Sequence, residues 1–219
     1  MRMGKAVCLI SGGIDSFVSA AIAKEKGYDI YCLTIDYSQK NRKEIICAKK
    51  IAKFLKSKKH LILKIDLSWT KSALTDKRIK IPQSIHHGIP PTYVPARNTI
   101  FISVALSYAE SIDAESIFTG INSVDFSGYP DCRPEYIKRF QKLIDIATKK
   151  TIEGKKIKLE TPLLYLSKSQ IIKKGIELGL DFSITWSCYK SGEKPCGKCP
   201  SCRLREKGFK EAGIPDPLQ

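Results

Sequence analysis

Acidic residues are scarce in this chain, and long apolar runs are absent. Asp and Glu total 22 against 38 Lys and Arg, so the formal net charge is +16 at pH 7. A strongly basic surface would attract anions such as ATP or nucleic acid. The lysines are scattered rather than interleaved with aromatic residues, and this dispersal favours solvated helix faces as their explanation. With no apolar run long enough for a membrane span and no signal-peptide pattern, we expect a cytoplasmic protein.

Two familiar nucleotide motifs are also missing. No Gly-Lys-Ser/Thr follows the N-terminal glycines, which excludes the Walker motif, and no third glycine completes a dinucleotide fingerprint. What is present is an apolar stretch ending at Ser11, then Gly12-Gly13, then a helical pattern from about Asp15. A strand–glycine turn–helix places backbone N–H groups and the positive end of a helix dipole at one point. This pattern predicts a phosphate cradle, with a purely structural turn as the alternative.

Apolar periodicity predicts alternating strands and helices, and therefore a parallel sheet covered by helices. We predict a doubly wound, mainly parallel, Rossmann-like α/β domain over residues 1–182 and a small C-terminal metal-binding lobe over 183–219. Segment 68–95 carries four prolines and little periodicity, so it reads as an irregular excursion over the site. At the start of the last predicted helix, Ser167 is expected to be the N-cap and Gln170 to complete a capping box. The predicted strands are 4–10, 29–36, 60–67, 116–120 and 157–164 (the last of these, or else an extended connector), and the predicted helices are 15–26, 41–56, 98–111, 134–150 and 168–178.

Three polar loops follow predicted strands, at Ser11–Ser16, Asp36–Gln39 and Gly120–Arg133. Ligands of doubly wound sheets bind outside the carboxyl ends of the strands. We therefore expect these loops to line one crevice. Asp36, which ends the second strand, is expected to meet the ribose or the adenine of a nucleotide, or else to cap the following helix.

Four cysteines crowd into the C-terminal stretch: Cys188, Cys196, Cys199 and Cys202. Paired C-x₂-C spacings suit a closed, tetrahedral structural zinc site. Iron–sulfur clusters use the same spacing, so the ligands alone leave that alternative open. A dithiol redox pair fits less well, because the C-x-x-C lies far from the first strand and has further cysteine partners. We assign the metal to folding of the C-terminal lobe.

Several strings in this chain are distinctive when they occur together. They are Ser11-Gly-Gly-Ile-Asp-Ser16, Val94-Pro-Ala-Arg-Asn98, Gly120 to Arg133, Glu160-Thr-Pro-Leu163, Leu166-Ser-Lys168, Thr185-Trp-Ser-Cys-Tyr189 and the final cysteine cluster with Leu204-Arg205. Closely and nearly end to end, they resemble the QueC family of 7-cyano-7-deazaguanine synthases, within the PP-loop ATP pyrophosphatase superfamily, whose fold is of the adenine nucleotide alpha hydrolase type. Two departures are Phe17, where many relatives have a threonine, and Ser38, where glycine is usual.

The resemblance implies an ATP-dependent ligase that converts 7-carboxy-7-deazaguanine and ammonia to the 7-cyano product, through adenylated intermediates, for queuosine or archaeosine synthesis. It implies Mg²⁺ with the ATP, one structural Zn²⁺ and a homodimer, with no stable nucleic-acid partner. Trp186 and Phe126 are candidates for ring stacking, and Cys132 for a less favoured thiol nucleophile. The site residues expected are Asp15, Arg97 and Lys168 for catalysis; Ile10, Ser11, Gly12, Gly13, Ile14, Asp15, Ser16, Phe17 and Asp36 for ATP; Asp125, Asp131 and Arg133 for the substrate ring; and Cys188, Cys196, Cys199 and Cys202 for the metal.

Two other classes of function compete with this interpretation. A pyrophosphatase-type enzyme acting directly on tRNA would use the basic surface, but the sequence has no second RNA-binding domain. A zinc-ribbon nucleic-acid binder would leave the glycine loop without a purpose. Strong, salt-dependent tRNA binding would favour either alternative.

Overall fold

A single five-stranded parallel sheet forms the centre of the structure. The computed structural model describes residues 4–83, 88–124, 128–190 and 192–219. The strands lie in the order β3-β2-β1-β4-β5, and each neighbouring pair is parallel. The predicted doubly wound architecture is thereby confirmed. The strands are β1 (Lys5–Leu9), β2 (Asp29–Asp36), β3 (Lys59–Lys64), β4 (Ser116–Phe118) and β5 (Lys158–Glu160).

Helices cover both faces of this sheet. Side chains alternate along β1, so that Ala6 and Cys8 join one core while Val7 joins the other. Within the described residues, no helix is long and apolar enough to cross a lipid bilayer. The helices are α1 (Ile14–Glu25), α2 (Lys43–Phe54), α3 (Arg97–Ser111), α4 (Pro134–Ala147), α5 (Lys149–Ile152), α6 (Lys168–Glu177) and α7 (Pro200–Ala212).

The two cores differ in the helices that supply them. Helices α1, α2, α6 and α7 pack on the Ala6 side, with Phe17 fully buried there. Helices α3 and α4 pack on the Val7 side, where Ile102 and Ile144 are fully buried. Because both sheet faces are covered, the middle strands are continuous apolar runs, as buried parallel strands require.

One predicted helix is wrong in its length. The pattern predicts a single helix over 134–150, but α4 ends at Ala147 and α5 begins at Lys149. Thr148 between them has extended φ and ψ, and it forms a reciprocal capping box with Thr151. A threonine hydroxyl that accepts a backbone N–H starts a new helix in preference to continuing the old one.

A helix that the periodicity did not predict closes the chain. Helix α7 begins directly after Cys199 and ends at Gly213, whose positive φ of 73° terminates it. Its sequence is rich in Lys, Arg and Glu, so its apolar pattern is weak. It packs on α6 through Phe209, which is 2% exposed.

The proline-containing segment after β3 contains no helix or strand among residues 68–83 and 88–95. It is nevertheless packed, because Ala73 N–H donates to the Pro91 carbonyl at 2.8 Å and Lys40 N–H donates to the Leu74 carbonyl at 2.9 Å. Leu74 is buried and lines a pocket at the carboxyl edge of the sheet. The excursion therefore forms part of a pocket wall. Strand β3 ends at Lys64, three residues earlier than the pattern predicts.

Candidate functional site

The glycine turn between β1 and α1 is open to a ligand. Gly13 is the N-cap of α1, and no side chain caps this helix start. Gly12 has φ of +91°, and a Cβ there would lie 2.2 Å from the Glu44 carbonyl oxygen, so only glycine fits. The first N–H groups of an α-helix have no partner within the helix. With no side-chain cap, those of α1 are available to an anion such as a phosphate.

Two serine hydroxyls shape this turn. The Ser16 hydroxyl donates to the Gly13 carbonyl at 3.0 Å and accepts from the Ser11 N–H at 3.1 Å. The two hydroxyl oxygens of Ser11 and Ser16 lie 3.1 Å apart. Ser16 is buried whereas Ser11 is exposed, so Ser11 is the hydroxyl that can turn towards a bound phosphate. Asp15 lies in the first turn of α1 rather than at its N-cap, and its carboxylate is paired with a residue from another helix.

That partner is Lys168, at the start of α6. Its ammonium donates to the Asp15 carboxylate at 2.5 Å, although the residues are 153 positions apart in the sequence. Ser167 begins α6 with a capping box completed by Gln170, as the sequence predicts, and so fixes Lys168 at the first helical position. The Lys168 side chain is 9% exposed. Two of the three expected catalytic residues therefore meet beside the glycine turn.

A pocket of about 270 Å³ lies at the carboxyl edge of the sheet. The three polar loops contribute to it with Ser11, Gln39 and Gly120, among others, so the predicted convergence is confirmed. Gly120 permits the close approach, because a Cβ there would lie 2.6 Å from the Ser16 nitrogen. Ile10 and Ile14 also line this pocket. Phe17 does not: its ring is fully buried and packs edge-on against Phe54 and Phe182.

Arg97 also lines this pocket, at the start of a helix that packs on the opposite face of the sheet from α1. It follows Ala96, which has the left-handed φ of 51°, and it opens α3. Its guanidinium donates to the Tyr37 hydroxyl at 3.4 Å and lies 5.7 Å from the centre of that ring. A guanidinium held in this way presents its remaining N–H donors to the cavity, where a carboxylate or phosphate can accept them.

The expected ring-reading residues are placed differently from one another. Asp131 is buried, and its carboxylate accepts the Asn98 N–H at 2.9 Å, which caps α3 behind Arg97. Arg133 is exposed and donates to the Pro130 carbonyl at 3.1 Å. Neither lines the pocket. Asp125 lies outside the described residues, as does Phe126.

Asp36 is committed to a neighbouring cation. Both of its carboxylate oxygens accept from Arg42, at 2.6 and 2.7 Å. The hydrogen bond from Arg42 holds the pKa of Asp36 below its usual value. Asp36 is not among the pocket-lining residues. In the same loop Ser38 has φ of +64°, a left-handed conformation that glycine adopts with less strain than serine.

Glu44 is a pocket-lining carboxylate that the sequence patterns did not single out. It lies in the first turn of α2, and burial raises its pKa to about 7, opposed by Arg97 and by a hydrogen bond from Gln39. The Gln39 side-chain oxygen accepts the Tyr37 N–H at 3.0 Å, which orients this amide. The sequence signal that could have indicated Glu44 is its position, because α2 begins after one of the three converging loops.

Cys132 also lines the pocket, but its thiol is a poor nucleophile. Burial, reinforced by the charge of Asp131, raises its pKa to about 11. The Asn98 amide lies 3.3 Å from its sulfur. Because the thiolate is the reactive form, Cys132 fits better as part of the pocket wall.

The four C-terminal cysteines form a compact cluster. Their sulfur atoms all lie within 4.8 Å of one another, and those of Cys196 and Cys202 are 4.0 Å apart. When sulfur atoms bind one tetrahedral ion at about 2.3 Å, the distance between two of them is slightly less than that between the Cys196 and Cys202 sulfurs. The Cys188 sulfur also accepts backbone N–H groups from Lys190 and Cys196, at 3.3 and 3.4 Å. The donor set therefore fits a closed metal site.

Trp186 connects this cluster to the glycine turn. Its backbone N–H donates to the Gly12 carbonyl at 2.9 Å, and its indole N–H donates to the Cys188 carbonyl at 2.9 Å. The Asn41 amide donates to the same carbonyl at 2.6 Å. The ring lines the pocket but is only 3% exposed, with the Lys43 ammonium 3.8 Å from its centre. Trp186 thus links the cysteine cluster to the glycine turn.

Fold and site together define a Rossmann-like α/β protein with an open glycine turn and a four-cysteine lobe. Solved structures share this fold. A predicted subunit of tRNA methyltransferase from Methanocaldococcus jannaschii aligns with a TM-score of 0.52 at 21% identity, over 100% of this chain and 95% of that one. A 4-thiouridine synthetase in complex with RNA and bound ATP aligns with a TM-score of 0.51 at 19% identity, over 96% and 50%.

Sequence comparison identifies the family within this fold. The model of the family "Queuosine biosynthesis protein QueC" matches residues 5–213, and the chain belongs to this family. The 7-cyano-7-deazaguanine synthase of Coxiella burnetii is 52% identical over 99% of this chain and 98% of its own length. The protein of the same name from Acetivibrio thermocellus is 52% identical with the same coverage, and that from Pseudomonas aeruginosa is 49% identical.

Proposed function

We propose that this chain is a 7-cyano-7-deazaguanine synthase, which uses ATP and ammonia to convert the carboxylate of 7-carboxy-7-deazaguanine to a nitrile. The observation that carries the proposal is the open start of α1, with the Lys168–Asp15 pair beside it and Arg97 lining the same pocket. Membership of the family and the names of relatives about 50% identical over nearly the whole chain support the same reaction.

The chemistry requires activation because a carboxylate is a poor electrophile. In the first step a carboxylate oxygen attacks the α-phosphate, pyrophosphate leaves, and an acyl-adenylate forms. Ammonia then attacks the carbonyl carbon, AMP leaves, and a proton is lost to give the amide. The amide oxygen then attacks the α-phosphate of a second ATP and pyrophosphate leaves, after which loss of AMP and of both amide protons gives the nitrile. Most of the protein's task is to position the reactants and to neutralise phosphate charge.

The nucleotide end of the pocket supplies that neutralisation. Backbone N–H groups from Ser11 to Ser16 would hold the phosphates, and Lys168 would offset their charge. Asp15, an oxygen ligand beside the turn, would help to hold the Mg²⁺ that accompanies ATP. Ile10 and Ile14 line the same end. Phe17 takes part through its backbone, because its ring is in the core.

The other end of the pocket would take the deazapurine. Arg97 suits the 7-carboxylate, because a guanidinium pairs with two oxygens at once. Asp125, Asp131 and Arg133 remain our proposal for the ring edge, with Asp131 and Arg133 acting through the loop that they stabilise rather than by facing the pocket. Asp36, held by Arg42, would shape the nucleotide loop in the same indirect way.

We assign Zn²⁺ to Cys188, Cys196, Cys199 and Cys202, with an iron–sulfur cluster as the competing occupant. Four thiolates leave no open position, so the ion would stabilise the lobe over 183–219 and supply no chemistry to the reaction. Metal analysis of the purified chain distinguishes the two: one zinc per chain without visible absorbance supports the assignment, whereas iron with sulfide and a brown colour contradicts it. The proposal also includes a cytoplasmic homodimer, which sedimentation would test.

The decisive experiment incubates the protein with Mg·ATP, ammonium and 7-carboxy-7-deazaguanine, and follows product mass together with AMP and ADP. We expect the nitrile and AMP, a large loss of rate in Lys168→Ala, and little loss in Lys173→Ala, an exposed lysine on the same helix. Nitrile with ADP would contradict adenylation alone. No turnover by metal-loaded protein, together with salt-dependent tRNA binding, would instead favour an enzyme that acts on tRNA.

A further inference from the structure

Helix α7 lies directly against the stem of Lys168, and the contact is made at a glycine. A Cβ built on Gly208 would lie 2.3 Å from Cγ and 2.9 Å from Cβ of Lys168, and 3.0 Å from Cδ1 of Ile172. Real Cβ atoms do not approach other carbons this closely. The two crowded Lys168 atoms lie close to its backbone, so the crowding can be relieved only by a change of the Lys168 rotamer or by a shift of one helix.

Helix α7 is itself held firmly at two points. Its N-cap is Cys199 and its first turn contains Cys202, both members of the cysteine cluster. Further along, the buried Arg205 donates to both oxygens of Asp216 at 2.8 Å and to the Thr185 hydroxyl at 2.8 Å. The side chains of Arg205 and Asp216 are each 4% exposed. The surface that α7 presents to Lys168 is therefore rigid.

We propose that Gly208 is a positioning residue for the nucleotide site: it lets α7 approach closely enough to direct the Lys168 ammonium to Asp15 beside the glycine turn. The inference rests on the proposed function, because it assigns Lys168 to the ATP phosphates. It adds that the cysteine lobe contributes to ATP affinity through α7, without a cysteine or its metal touching the nucleotide.

Gly208→Ala tests this role through ATP binding in two backgrounds, because the added Cβ would force α6 and α7 apart or turn Lys168 away from Asp15. A purely structural role predicts a loss of stability with ATP affinity unchanged, or the same change of affinity with and without Lys168. A positioning role predicts a loss of affinity only where Lys168 is present. The Lys168→Ala background removes the crowded Cγ and the ammonium together.

The experiment measures Mg·ATP binding by calorimetry on the full-length, metal-loaded chain, with metal content determined for every variant. We expect Gly208→Ala to weaken binding about tenfold or more in the wild-type background and less than twofold in the Lys168→Ala background. Gly192→Ala is the matched control in the same lobe, because its nearest contact to an added Cβ is an ordinary 3.4 Å and its binding should be unchanged.

Equal losses in both backgrounds, no loss in either, or a similar loss in Gly192→Ala would each overturn the proposal. Should Gly208→Ala fold poorly, Asp216→Asn loosens α7 without adding volume, and it should weaken ATP binding only when Lys168 is present. The same weakening without Lys168 would contradict the positioning role. A wild-type chain that binds no Mg·ATP would refute the proposed function itself, which is a distinguishable result.

Discussion

Helices α1 and α6 both begin at the carboxyl edge of the sheet, but their first turns differ. At α6, the Gln170 N–H donates to the Ser167 hydroxyl at 3.3 Å, and the Ser167 N–H donates to the Gln170 side chain at 2.8 Å. At α1, the N-cap is Gly13, which has no side chain to offer. Both starts carry the same helix dipole. One is closed by its own residues, and the other is open.

The difference shows which of the two helix starts can bind an anion. A capping box satisfies two backbone donors, so an anion at α6 would have to displace it. At α1 the corresponding backbone N–H groups face the pocket, and the hydroxyls of Ser11 and Ser16 lie beside them. The capped start of α6 nevertheless contributes to the site at α1, because it holds Lys168 at the position from which its ammonium reaches Asp15.

Helix α7 begins in a third way, since its N-cap Cys199 is a cluster cysteine, and this start should show the largest effect. We expect Cys199→Ser to release the metal and to destabilise the C-terminal lobe by several kcal/mol, because metal binding energy is folding energy. Metal analysis and calorimetric unfolding provide the measurement. Cys47→Ser is the matched control: Cys47 is buried beside the cluster but outside its four ligands, so the metal should remain. Retention of metal in Cys199→Ser would contradict the ligand assignment.

The second-largest effect is expected for a substitution that would block the open start of α1. Gly12→Ala should lower Mg·ATP affinity at least 100-fold, because the new Cβ meets the Glu44 carbonyl at 2.2 Å and distorts the turn. Gly27→Ala is the control for backbone strain alone: its φ is +84°, but nothing lies within 4 Å of its Cβ. Both variants should lose about 1 kcal/mol or more from the left-handed conformation. Only Gly12→Ala should lose ATP binding, and equal binding losses would exclude the cradle.

A third prediction concerns pH and Glu44. Its pKa is about 7 in the folded chain and lower in the unfolded chain, so the folded state binds more protons between these values. Stability should therefore fall as pH rises from about 4.5 to 7. Glu44→Gln removes this contribution, and its advantage over the wild type should be on the order of 1–2 kcal/mol larger at pH 8 than at pH 5. Denaturant unfolding at the two pH values measures it. A constant difference would mean that the carboxylate is ionised and hydrated.

The smallest effect is expected at the capped start of α6. Ser167→Ala should cost about 1 kcal/mol of unfolding free energy, the usual value of an N-cap. ATP affinity should change less than twofold, because the Lys168 stem is still held by α7. Thermal unfolding and ATP calorimetry on the same samples check both parts. A loss of affinity as large as that in Gly12→Ala would erase the distinction between the two helix starts.

Much of the fold was predictable because its signals are local. Apolar runs marked the strands, and Ser167 with Gln170 marked the start of α6 correctly. Two errors have physical causes. Thr148 capped a new helix within a continuous amphipathic pattern. Helix α7 was missed because its charged sequence, with Gly208 in its interior, is a weak helix pattern, and the helix is held by the cysteine cluster and by packing on α6.

The site was predictable only in part. The glycine turn and the cysteine cluster are short-range patterns, whereas the placement of single polar side chains is not. Nothing near Asp36 in the sequence distinguishes a ribose contact from its pairing with Arg42. Nothing near Glu44 indicates a buried carboxylate, because its burial comes from residues of several elements.

By itself, the sequence determined the parallel α/β class, the open glycine turn, the capped start of α6 and the cluster of four cysteines. Each depends on residues within a few positions of one another, whose conformations are set by backbone sterics, periodicity and capping. Only the tertiary structure decided that Lys168 meets Asp15, that Glu44 lines the pocket and that α7 rests on Lys168 through Gly208. Those contacts join residues far apart in the chain, and their distances follow from strand order and helix packing.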